Sequence, residues 1–81
     1  MDTRVAVISI LVQNLDSVEA LNGLLHRYSH SIIGRMGIPY REKGIHIISV
    51  ALDAPVDTVN ALTGELGKLD GVTAKATYAK T

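Results

Sequence analysis

A chain of 81 residues with no cysteine has no disulfide, no thiolate metal site, no cysteine-ligated iron–sulfur cluster and no cysteine nucleophile. Lys plus Arg equals Asp plus Glu at eight each, and this neutrality argues against a module that works by holding nucleic-acid phosphates. Three Tyr with no Phe or Trp give no aromatic platform for stacking bases, so nucleic acid is not the expected partner.

The length fits one domain over residues 1–81, small enough to fold alone with little margin, so subunit association is an expected source of stability. No apolar stretch approaches a membrane span, and the N-terminus lacks a basic region followed by a cleavable apolar one. A cytoplasmic protein is expected. Charge is unevenly spread: residues 26–46 hold Arg27, Arg35, Arg41 and Lys43 against Glu42, while residues 53–70 hold Asp53, Asp57, Glu65 and Asp70 against Lys68.

In chain order, Val5–Val12 is β-branched and apolar on both alternating faces, the pattern of a strand covered on both sides. Asp16 then reads as a helix N-cap with Glu19 at the capping-box position, and Val18, Leu21, Leu25 and Tyr28 form one apolar helical stripe. Ser31–Ile38 reads as a second strand, interrupted by Gly34 and Gly37. Ile45–Leu52 is another apolar strand. Asp53-Ala54-Pro55 turns into a second helix with the stripe Val56, Val59, Leu62, Leu66 and Leu69, which Gly71 closes. Val72–Ala79 supplies the last strand, with Val72, Ala74, Ala76 and Tyr78 on one face.

The two halves repeat. Val7-Ile8-Ser9-Ile10 matches Ile47-Ile48-Ser49-Val50 at an offset of 40, and Asp16-Ser17-Val18 with Ala20, Leu21, Gly23 and Leu25 matches Asp57-Thr58-Val59 with Ala61, Leu62, Gly64 and Leu66 at an offset of 41. Two βαβ units in one sheet describe an α+β, ferredoxin-like βαββαβ sandwich: a four-stranded antiparallel sheet with two helices on one face. The other face would be bare and aliphatic, which predicts a homo-oligomer, dimer or tetramer, formed through it.

Chemistry has few candidates. His26 and His30 stand four apart at the end of the first helix, a spacing that can share a metal ion, or they are simply two exposed polar residues near a helix C-terminus. His46, inside an apolar strand, reads as a hydrogen-bonding residue at an interface. No nucleophile elbow, phosphate loop or His-Glu-x-x-His occurs, and Ser9 and Ser49 lie mid-strand, so neither catalysis nor a cofactor is expected. The segment Gly34–Gly44 is dense in Gly, Arg and Tyr. It reads either as a long hairpin or as a contact surface in which Arg35, Tyr40 and Arg41 meet an anionic effector or a partner protein.

Two segments carry a family resemblance: Ile33-Gly34-Arg35-Met36-Gly37-Ile38-Pro39-Tyr40-Arg41 and Asn60-Ala61-Leu62-Thr63-Gly64-Glu65-Leu66-Gly67. With them the chain resembles, along nearly its whole length, the iron-only hydrogenase system regulators, small ACT-like proteins of anaerobic bacteria. The resemblance implies an oligomeric regulatory module linked to hydrogenase maturation or regulation. The alternative it leaves is an assembly protein with no small ligand. The plan is also similar to amino-acid-sensing ACT domains, whose usual Gly after the first strand is missing from Gln13-Asn14-Leu15-Asp16. Nickel-responsive repressors share it too, but their separate DNA-binding segment has no expected place here, because the first strand begins close to Met1.

Overall fold

The computed structural model describes residues 2–80; Met1 and Thr81, the ends of the expected domain, lie outside the described residues. The order is β1 (Arg4–Val12), α1 (Val18–Arg27), β2 (Ile32–Tyr40), β3 (Ile45–Ala54), α2 (Val56–Gly67) and β4 (Val72–Tyr78), with short 3-10 turns at Leu15–Ser17, Ser29–Ser31 and Arg41–Lys43. The strands form one antiparallel sheet in the order β2-β3-β1-β4, the ferredoxin-like plan that the repeat predicts.

Alternation along the strands sorts the side chains. Ala6, Ile8, Ile10 and Val12 of β1 and Ile48, Val50, Leu52 and Ala54 of β3 are buried beneath the helices, against Leu21, Leu24 and Leu25 of α1 and Val59, Leu62 and Leu66 of α2. Val18, Tyr28, Leu69, Ala74, Ala76 and Tyr78 pack around this core, so the first helical stripe, the second from Val59 onward and the β4 face lie where their spacing puts them, while Val56 at the start of α2 is half-buried outside the core cluster. Ser9 pairs directly with Ser49 in the β1–β3 register. The offset of 40 between the halves therefore marks a pseudo-twofold relation centred on that pair.

Three local readings need correction. Asp16 is not the cap of α1: Asn14 Oδ1 accepts from the Asp16 amide at 3.0 Å and caps the 3-10 turn, and Ser17 occupies the N-cap position of α1. Ser17 is buried because its hydroxyl donates to the Asp70 carbonyl at 2.7 Å, a contact from the far end of the chain that local spacing does not encode. Gly71 does not close α2, which ends at Gly67; it sits in the turn into β4 at φ +69°. The third concerns Asp53 and Ala54, which continue β3, so that Pro55 alone provides the N-cap of α2.

The C-terminal end of α1 is tied to α2 by side chains. Tyr28 Oη donates to Glu65 Oε1 at 2.6 Å, and Arg27 Nη1 lies 3.7 Å from Glu65 Oε2. Donation to Glu65, aided by burial and by the carboxylate's charge, raises the Tyr28 pKa above its ordinary value. A group whose folded pKa is raised stabilises the fold fully below its unfolded pKa, about 10 for Tyr, and loses that contribution as pH climbs through the folded value. Tyr28→Phe is expected to cost about 1 kcal/mol in urea unfolding at neutral pH. The gap between variant and wild type should close above about pH 10; a gap that stays constant to higher pH would show that the hydrogen bond is not its source.

Candidate functional site

The Gly34–Gly44 segment folds as β2, a 3-10 turn and Gly44, whose φ of +63° closes the hairpin into β3. β2 is an edge strand, and beyond Ile32 every one of its residues is exposed, on the helix side as well as the open side. The helix layer stops short of this edge. A two-helix layer over a four-stranded sheet leaves one margin uncovered, and Pro39, which an interior strand would not tolerate, fits β2 to an edge.

Register divides the three predicted contact residues. Arg35 pairs with Val50, whose side chain is buried under the helices, and Tyr40 pairs with Ile45 on the opposite face. Five residues along an extended strand separate them by about 17 Å. Arg41 follows Tyr40 in the turn. The structure thus keeps Tyr40 and Arg41 together and places Arg35 elsewhere.

Arg35 lies in a groove between α1 and β2 of about 330 Å³, lined by Asn22, Leu25, His26, Ser29, Ile32 and Arg35. Its Nη2 donates to Asn22 Oδ1 at 3.1 Å. Tyr40 and Arg41 border a smaller apolar crevice of about 140 Å³ at the other end of the hairpin, with Leu15, Pro39, Gly44, Ile45 and His46. His46 is half-buried there, and its Nδ1 is enclosed with no hydrogen-bond partner among the described residues.

His26 and His30 do not share a helix. α1 ends at Arg27, and His30 lies in the following 3-10 turn, so the four-residue helical spacing that would aim both rings at one ion is broken. His26 lines the groove beside Arg35, a grouping the sequence reading did not anticipate. Among the described residues no three His, Cys, Asp or Glu side chains cluster as metal ligands.

The sheet face away from the helices carries Val5, Val7 and Leu11 of β1, Met36, Ile38 and Tyr40 of β2 and Ile47 of β3, each between 39% and 68% exposed. Leu11, Ile47 and Ile38 stand side by side across three strands. Ser9 and Ser49 sit at the centre of the face, and Lys75 and Asp53 mark its margin. No helix of the described residues is long and apolar enough to cross a membrane.

These features define a small α+β domain of the ferredoxin-like, ACT-like class. The chain belongs to the TM1266-like family, described as "Iron-only hydrogenase system regulator, putative", whose model matches residues 4–76. The solved structure of the uncharacterized protein TM1266 from Thermotoga maritima is similar over 98% of this chain and 100% of that one, with 35% identity and a TM-score of 0.93. A formyltetrahydrofolate deformylase from Pseudomonas putida KT2440 is similar over 94% of this chain but 28% of its own length, with 17% identity and a TM-score of 0.59, a likeness of fold alone. No curated protein matches the chain in sequence.

Proposed function

We propose that this chain is a non-catalytic, homo-oligomeric module that senses a small effector and regulates an iron-only hydrogenase system. The observation that carries this reading is the aliphatic open face of the sheet. Four strands about 4.8 Å apart and some 25 Å long present roughly 500 Å². Two copies stacked face to face would bury about 1,000 Å², the lower bound for a specific interface. Aliphatic side chains surround the central Ser9–Ser49 pair, and Lys75 and Asp53 lie at the margin, which fits the usual order of apolar core and polar rim. Membership of a regulator family supports the regulatory context. In this reading Arg35, Tyr40 and Arg41 make the contacts to effector and partner, from the two separate places described above.

Light scattering on the size-fractionated protein tests the assembly. The expected mass is a multiple of the 8.7 kDa chain at micromolar concentration. A mass of one chain under those conditions would remove the oligomeric reading.

A further inference from the structure

The groove between α1 and β2 has a donor set without an acid. Arg35 has five N–H donors, of which the structure engages one, on the neutral Asn22 amide, and no carboxylate pairs with it among the described residues. Asn22 and His26 stand four apart on α1 and so share the side of the helix that meets Arg35, and Ser29 lines the groove from the 3-10 turn that follows. No Asp or Glu lines the groove. The nearby Glu65 is engaged on another side of α1 by Tyr28 and Arg27.

We propose that this groove binds a small oxyanion, a carboxylate or a phosphate group on a compact organic body, and that this is the effector of the module described above. The inference rests on that sensor reading. A planar guanidinium fork matches two oxygens of such a group, and Asn22 holds the fork in place while leaving most of its donors free. His26 and Ser29 supply further polar contacts, and Leu25 and Ile32 provide an apolar bed for the ligand's body. A cation is repelled by Arg35, and a wholly apolar ligand would cover the guanidinium without pairing it. The carbonyl end of α1 disfavours negative charge near Ser29, which places the oxyanion at the Asn22–Arg35 end of the groove.

Calorimetric titration of the full chain with inorganic phosphate and, separately, malonate tests the site, with the mass of each sample measured in parallel. Wild type should bind at least one of the two saturably. Tighter malonate binding would assign a carboxylate ligand, and tighter phosphate binding a phosphoester. Arg35→Gln should lose at least tenfold in affinity at unchanged mass, and Arg35→Lys, which keeps the charge but not the fork, should fall between. If neither anion saturates wild type, or if Arg35→Gln binds as wild type does, the site is overturned. An oligomer that binds neither anion removes the groove and leaves the assembly standing. A single chain that binds one of them removes the assembly and leaves the groove.

Discussion

Replacing Gly71 by Ala should destabilise the protein by about 3 kcal/mol or more, a fall of roughly 12 °C or more in Tm for a domain of this size. Two effects add. At φ +69° an L side chain pays about 1–2 kcal/mol for the left-handed conformation. A Cβ there would also sit 2.6 Å from Asn14 Cβ and 2.8 Å from the Asn14 backbone nitrogen, so the loop after β1 must move. That loop is held by bonds the movement would break: the Gln13 amide donates to the Gly71 carbonyl at 2.7 Å, and Asn14 Nδ2 donates to Asp70 Oδ2 at 2.6 Å. Two other glycines separate the terms. Gly44 has φ +63° but open space around its missing Cβ, so Gly44→Ala should cost only the conformational part. Gly64 lies inside α2 with open space, so Gly64→Ala should raise stability by about 1 kcal/mol. Thermal unfolding of the three variants checks the order, and a Gly71→Ala protein no worse than Gly44→Ala would show that the approach to Asn14 does not constrain the fold.

The same residues show what the sequence discloses and where it stops. Strands β1 and β3 follow from their continuous β-branched apolar runs, and both helical stripes from the period of 3.6 that a buried helix face imposes on the chain. The pairing of the halves follows from the repeat. The capping at Asn14 and Ser17 does not, since both are held by Asp70, more than fifty residues away, and Asp16 offers an equally good local signal. Arg35 and Tyr40 are a different case. An odd separation within one strand always puts two side chains on opposite faces, so their parting was legible once the strand was extended to Tyr40. The strand expected over Ser31–Ile38 runs on to Tyr40, because Pro39 and the glycines, which weaken an interior strand, are tolerated on an edge, where β2 lies. The meeting of His26 with Arg35 depends on how α1 crosses that edge, which no spacing within either segment specifies.

Ile47→Asp should abolish self-association while leaving the monomer folded. Ile47 stands between Leu11 and Ile38 in the middle of the open face and is 40% exposed in the isolated chain. In the monomer the new carboxylate stays in water, and the cost is limited to strand preference, within about 1 kcal/mol. In a face-to-face pair each copy would bring one unpaired charge into an apolar interface. At about 3 kcal/mol for each carboxylate, the pair loses roughly 6 kcal/mol, some four orders of magnitude in the association constant. Wild-type Tm should rise with protein concentration, because only the folded chain associates, and the variant's should not. Leu15→Asp is the control: Leu15 is 60% exposed on the 3-10 turn after β1, away from the open face, so the same change of chemistry there should leave mass and concentration dependence as in wild type. If Ile47→Asp keeps the wild-type mass, the copies meet elsewhere, and the β2 edge, which the helices leave uncovered and which carries unpaired backbone groups, becomes the next surface to test.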